Sequence, residues 1–440
     1  MTAHRPERRG LAVPSRRLSR IARLGGVTAG VASSMAMGSI SALSRGNRPV
    51  WRDLLMTPQN ISRVADQLAK MRGAAMKVGQ LVSMDTGEFL PPELAQIMAR
   101  LRDEAHFMPP SQLKKVLAAQ WPDGWLRQFK NFNVRPIAAA SIGQVHSATL
   151  KDGRNLAIKV QYPGVANSID SDIANVGALI RMSGLLPKGF ELAPYLEEAR
   201  KQLHEETDYS REAGFLQRFG TLLEGDDRFF VPKFVPEWST KGILAMEFAS
   251  GDAIDSFIDA SQDVRNRLAH TLIDLALREL FAEKVMQTDP NFANYRYNVQ
   301  DEQIVLLDFG ATRDIPNEVS NQYRQLMQAG MSGDRQSLAD MALCMGFYDH
   351  STAENFRETI IDVMMQVFDV LLQPAPYDFG DRSLVRNLQQ QGIALAEAGF
   401  IPPPLPVELL FIQRKLGGVF LLATHLRAQV DVQSLLARYL

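Results

Sequence analysis

Residues 285–314 read VMQTDPNFANYRYNVQDEQIVLLDFGATRD. Asp289 is followed five residues later by Asn294, and Asp308-Phe309-Gly310 stands behind the short apolar run 304–307. Carboxylate and amide oxygens are the hard ligands that Mg²⁺ prefers, and Mg²⁺ commonly bridges phosphate oxygens. Asp-Phe-Gly alone says little, because Asp and Gly are frequent in turns of every kind. The order Asp, Asn, Asp-Phe-Gly carries the weight, and it directs the search to the rest of the chain for a phosphate-binding lysine and its counter-charge.

Lys159 in LAIKVQ supplies a lysine inside a strand pattern, and AAASIGQ (138–144) precedes it where a phosphate-covering loop belongs. Ala138, Ala139, Ala140 and Ser141 are therefore nucleotide-binding candidates. EETDYSREA offers Glu205, Glu206, Asp208 and Glu212. On a continuous helix Glu206 and Glu212 would point in different directions and could serve two lysines. Glu212 is assigned to Lys159, and Glu206 with Asp208 to Lys77. Asn294 and Asp308 are the metal-ligand candidates, with Asp289 as a base or an orienting residue. Lysine, loop, asparagine and Asp-Phe-Gly stand in the order that protein kinases use.

The chain of 440 residues, 46% hydrophobic, can bury a large core and is long enough for more than one packed region. Its 48 basic and 49 acidic residues nearly cancel, which gives no overall field for a nucleic-acid partner. The first fifty residues are the local exception, with nine arginines against Glu7 alone. They read as a targeting segment, an arm for anionic lipid, or a solvated tail. Within them, residues 24–44 are rich in Gly, Ala and Ser, and Gly26, Gly30, Ser34 and Gly38 recur every four residues. Small side chains at that spacing allow close helix approach, so a membrane-associated or homodimerising segment is one expectation and a flexible linker the other. Cys344 is the only cysteine, which excludes an intrachain disulfide.

From Asn60 the apolar positions Val64, Leu68, Met71, Ala75, Val78 and Val82 form a helical stripe, with Lys77 and Gln80 beside it. Further helices are expected over 92–105 and after Ser111, so everything to about Phe132 reads as a helical extension. Strand-like runs follow on either side of the Asp152-Gly153 turn. Next come helical patterns, among them one continuous helix through EETDYSREA, and then two strand candidates. Glu247 and Phe248 mark an expected hinge that would border the nucleotide, and the remainder is mainly helical. The expected fold is α+β, a bilobal protein kinase-like fold. Its regions are 1–50 (basic N-terminal segment), 51–132 (helical extension), 133–250 (first lobe) and 251–440 (second, helical lobe). Nucleotide is expected between the lobes.

KVGQ (77–80), AAASIGQVH, AIKVQYPGV, EETDYSREA, QTDPNFANY and LLDFGATRD together resemble the UbiB-like, AarF-type atypical kinases, from about residue 60 into the second lobe. The KxGQ and ExD motifs and the alanine-rich loop are not shared with ordinary protein kinases. The resemblance implies a kinase-like fold, ATP and Mg²⁺ binding, membrane association and support of ubiquinone (coenzyme Q) biosynthesis. It implies as partners lipid or quinone intermediates and other ubiquinone-biosynthesis proteins. It places the protein on the cytoplasmic face of a membrane, peripheral or N-terminally anchored, or at the mitochondrial inner membrane in a eukaryote. In the family the KxGQ helix, here with Lys77 and Gln80, is thought to cover the active site and meet Glu206 and Asp208, limiting protein phosphorylation and leaving ATPase behaviour. Gln287-Thr288 replaces the His-Arg that precedes the catalytic Asp of ordinary kinases, and no Ala-Pro-Glu follows Asp-Phe-Gly. A metal or structural role for Asp289 therefore stands beside that of base. The enzyme reading is an atypical kinase or ATPase; the alternative is a catalytically weak nucleotide-binding scaffold.

Overall fold

The computed structural model describes residues 71–85, 107–183, 192–373, 375–403 and 405–440. The basic segment 1–50 with its small-residue stripe, and the helix expected over 92–105, lie outside the described residues. The chain divides into two compact units, Met1–Gly214 with Lys233–Phe248, and Phe215–Pro232 with Ala249–Leu440. Each is α+β.

The first unit is built on a five-stranded sheet. Its strands are β1 (Phe129–Phe132), β2 (Ala138–Ala139), β3 (Gly143–Leu150), β4 (Asn155–Gln161) and, after a two-residue β5 (Phe229–Phe230) that belongs to the second unit, β6 (Ile243–Glu247). All pairings are antiparallel in the order β1-β3-β4-β6, and β2 joins the same edge of β3 as β1, further toward the N-terminus of β3. Alternation decides the faces. Leu156, Ile158 and Val160 of β4 enter the core with Trp121, Phe129 and Trp238, while Lys159 and Gln161 take the other face. Trp121 stacks on Phe129 at 5.6 Å between ring centres, and its indole N–H donates to the Trp238 carbonyl at 3.1 Å.

Five helices begin in this unit: α1 (Arg72–Asp85), α2 (Pro110–Gln120), α3 (Ile169–Ser183), α4 (Ala193–Glu206) and α5 (Tyr209–Leu222). The first, third and fourth pack on one another, and Ala75 and Val78 of the predicted stripe are fully buried. Two expectations are corrected. Residues 107–132 are no separate extension, because β1 is an edge strand of the sheet and Leu113 and Leu117 of α2 lie in its core. The helix expected to run through EETDYSREA is two helices, parted at Thr207 and Asp208.

The second unit holds a four-stranded sheet in the order β5-β10-β9-β7, with β7 (Asp252–Ala253), β9 (Tyr295–Asn298) and β10 (Gln303–Leu306). A second, two-stranded sheet pairs β8 (Val285–Gln287) with β11 (Thr312–Asp314). Around them lie α6 (Gln262–Arg278), α7 (Asn317–Ser332), α8 (Arg335–Cys344), α9 (Glu354–Leu371), α10 (Ser383–Glu397), α11 (Val407–Leu426) and α12 (Val432–Leu436). No described helix is long and apolar enough to cross a membrane.

Candidate nucleotide and metal site

Lys159 lies on the sheet face opposite the aromatic core, and its ammonium reaches both carboxylate oxygens of Glu212, at 2.7 and 2.9 Å. Both residues are buried. Removing one partner of such a pair strands a charge, at a cost of about 3–5 kcal/mol. Two positions along the same face, Gln161 donates from Nε2 to the Thr207 carbonyl at 2.7 Å. The strand therefore grips α5 at Glu212 and the turn before it at Thr207.

That turn redistributes the acids. Asp208 Oδ1 accepts the amides of Ser210 and Arg211 at 3.0 and 3.1 Å, which makes it the N-cap of α5. Asp208 is thus a capping residue in this structure and does not share Lys77 with Glu206 as expected. Lys77, 5% exposed, pairs with Glu206 alone among the described acids. Glu206 also accepts the Ser141 hydroxyl at 2.6 Å. Lys77 of α1, Glu206 of α4 and Ser141 of the alanine-rich turn therefore form one bridge. Gly73 makes it close, since a Cβ there would sit 3.0 Å from the Ser141 carbonyl oxygen. The side chain of Gln80 lies outside the described residues.

The alanine-rich segment is a tight reversal. Ala138 and Ala139 form β2, and the Ala140 amide donates to Gly143 O at 2.9 Å. No residue from 138 to 144 has a positive φ. The turn thus lacks the left-handed positions from which glycine-rich loops aim successive amides at phosphate. Gly143 is required for a different reason: a Cβ would lie 2.4 Å from the Val160 carbonyl oxygen. Glu247 closes β6 opposite Leu156, and the amide of Phe248, which is 38% exposed, donates to Asn155 O at 2.9 Å.

In the second unit the stretch 285–314 is two nested pairings. The inner hairpin sets Tyr295 against Leu306 and the outer pair sets Gln287 against Thr312. Between them the Leu307 amide donates to Asn294 O at 3.0 Å, and the Thr288 hydroxyl to Ala311 O at 2.7 Å. The nesting brings residues 288–294 face to face with 307–311, so the Asn and the Asp-Phe-Gly meet. Asn294 Nδ2 donates to the Asp289 carbonyl at 3.1 Å and carboxylate Oδ2 at 3.2 Å, which leaves its carbonyl oxygen as the ligand atom. Asp308 Oδ1 accepts the Gly310 amide at 2.9 Å. Phe309 is buried against Phe219, 5.0 Å between ring centres.

Asp289 is held twice, by Asn294 at Oδ2 and by Arg414 of α11 at Oδ1. Arg414 stands 125 residues downstream, and no local pattern around it marks a role at this loop. No cluster of three or more His, Cys, Asp or Glu able to hold a metal occurs among the described residues. Asp308 and Asn294 fit a cation that takes one carboxylate and a carbonyl from protein and its remaining ligands from phosphate and water, the usual habit of Mg²⁺.

Residues 100–342 match the family model described as the ABC1 atypical kinase-like domain. The chain is 37% identical over 426 residues to the mitochondrial atypical kinase COQ8 of Saccharomyces cerevisiae, covering 96% of this chain and 84% of that protein. To the mitochondrial atypical kinase COQ8B of Danio rerio it is 36% identical over 431 residues, covering 96% and 68%. In fold it is similar to the Rv3197–erythromycin complex from Mycobacterium tuberculosis, with a TM-score of 0.62 at 22% identity, over 87% of this chain and 97% of that one.

Proposed function

The chain belongs to the ABC1 atypical kinase-like family, of UbiB/AarF type, and on that premise we propose that it binds ATP with Mg²⁺ and acts as an atypical kinase or ATPase in ubiquinone biosynthesis at a membrane. The observation that carries this reading is the buried Lys159–Glu212 pair, a strand lysine held by both oxygens of one helix carboxylate. In this reading Lys159 takes the phosphates, Glu212 orients it, and Ala138–Ser141 with Glu247 and Phe248 border the nucleotide. Asn294 and Asp308 would hold Mg²⁺, which when bound would supply positive charge to the phosphates. The Lys77–Glu206–Ser141 bridge ties the alanine-rich turn to α1, and with Gln80 it forms the regulatory set, while Asp208 acts as the cap of the helix that carries Glu212. The mitochondrial names of the relatives support the mitochondrial inner membrane in a eukaryote, or else the cytoplasmic face of a membrane, with lipid or quinone intermediates and biosynthetic partner proteins. A homodimer through the small-residue stripe belongs to the same proposal.

One observation favours the scaffold alternative. Both oxygens of Asp289 are engaged within the protein, by Asn294 and by Arg414, which suits the orienting role expected for it beside that of base. Mg²⁺-dependent ATP hydrolysis by the purified protein, with and without anionic liposomes, separates the two. An ATPase is expected to turn over faster with liposomes and to lose at least a hundredfold in Asp308→Asn. Nucleotide binding without turnover in every condition makes the chain a scaffold, and no nucleotide binding at all overturns both.

A further inference from the structure

Helix α11 lies beyond the residues that match the family model, yet successive positions on it meet the loop carrying Asp289 and Asn294. Arg414 holds Asp289. Lys415, 1% exposed, pairs with Glu279 Oε2 at 2.9 Å. Its Nζ donates to Tyr295 Oη at 3.2 Å, and Tyr295 Oη donates to Gln287 Oε1 at 3.3 Å. Gly418, one turn on from Arg414, faces Pro290, and a Cβ there would fall 2.2 Å from Pro290 Cβ. Gln287 is the last residue of the strand that enters the loop, and Tyr295 the first of the strand that leaves it.

A buried ion pair is a weak source of stability, because desolvation consumes most of the coulombic gain and an apolar pair of equal volume often does as well. It does fix geometry. Burial opposes the Lys415 charge most strongly of any single effect, but Glu279 and Tyr295 together more than offset it and the net shift is upward. Lys415 thus holds Glu279 by an ion pair and Tyr295 by a hydrogen bond. Glu279 opens a π-turn (Glu279–Glu283), an irregularity frequent at functional places in helices. Glu279, Gln287 and Lys415 also line a cavity of about 10 Å³ together with Asn294 and Asp308. That is no larger than one water, so a displacement of the network would be felt at the ligand residues.

We propose that α11 is the positioning rail of the Asp289–Asn294 loop, with Lys415 and Gly418 as positioning residues that set how tightly the site takes a divalent cation with nucleotide. The cation part rests on the function proposed above; the placement of the loop does not.

Two neighbouring glycines supply a matched test. A Cβ at Gly417 meets nothing within 4 Å, whereas one at Gly418 collides with Pro290. Gly417→Ala and Gly418→Ala thus make the same change in helix propensity, and only the second pushes on the loop. The full-length protein is measured by hydrogen exchange over residues 287–295 and by Mg²⁺ titration of a fluorescent ATP analogue. Gly418→Ala is expected to speed exchange and raise the half-saturating Mg²⁺ concentration, each about tenfold, and Gly417→Ala to do neither. Lys415→Met combined with Glu279→Leu, which strands no charge, is expected to follow Gly418→Ala while melting within a few degrees of wild type. It decides the matter should Gly418→Ala fail to fold. Equal exchange and equal Mg²⁺ dependence in the two glycine variants would overturn the proposal. If the wild type binds no nucleotide at any Mg²⁺ concentration, the function proposed above fails and the exchange comparison alone decides the positioning role.

Discussion

His146 shows how a single ring nitrogen can set a pH dependence. It is fully buried, its Nδ1–H donates to Asn133 O at 2.8 Å, and its Nε2 accepts from Gln144 Nε2 at 2.8 Å. Gln144 cannot turn its amide to oblige a second proton, because its Oε1 already accepts the Met108 amide at 2.8 Å. Burial holds the ring's pKa below its ordinary value of 6.5. Between the lowered folded pKa and 6.5 the unfolded chain binds a proton that the folded chain does not, so stability falls as pH falls. We expect this ring to contribute a slope of up to about 1.4 kcal/mol per pH unit below neutrality. Urea unfolding at a series of pH values should show that slope reduced in His146→Gln; identical slopes would clear His146 of the effect. At the same scale Lys159 is legible in the sequence, since strand alternation puts it opposite Leu156, Ile158 and Val160. Arg414 is not, because its only link to Asp289 is made through space.

At the scale of elements, α1 seats on the alanine-rich turn by shape as much as by charge. The Lys77–Glu206 pair and the Ser141 hydroxyl bond require the helix backbone to approach within reach of the turn, which Gly73 allows. Gly73→Val should force the two apart, at roughly 1–3 kcal/mol in urea unfolding, and should speed exchange of the Ala140 amide. Unchanged exchange there would mean that the helix does not restrain the turn. The break between α4 and α5 illustrates what periodicity conceals. Helical spacing continues through EETDYSREA, but Asp208 competes for the backbone by capping α5. Glu206 and Glu212 consequently diverge because they stand on two helices. The strand Phe129–Phe132 escapes sequence reading for the opposite reason: four residues give too little alternation to tell a strand from the end of a helical stretch.

For the whole molecule, a ligand that binds only the folded chain stabilises it by mass action. Mg²⁺ with a non-hydrolysable ATP analogue at a hundred times its dissociation constant should add about 2.7 kcal/mol. A thermal-shift titration should therefore raise the melting midpoint by several degrees, and Asp308→Asn should remove the Mg²⁺-dependent part. A Mg²⁺-dependent shift of equal size in Asp308→Asn would take the metal away from this residue. The division of the chain is also a property of the whole. Phe215–Pro232 packs with the second unit although the residues on both sides belong to the first, which breaks up the continuous lobe read over 133–250.

By itself the sequence determined the family, the α+β class, the lysine on its strand and the order of Asp289, Asn294 and Asp308. These follow from local pattern and motif spacing, which are written in the order of the residues. Only the tertiary structure decided that Asp208 caps a helix, that Ser141 joins Lys77 through Glu206, and that Arg414, Lys415 and Gly418, far downstream in the chain, back the loop. Such pairings depend on which faces the folded backbone brings within a hydrogen bond of each other. No spacing along the chain encodes that distance.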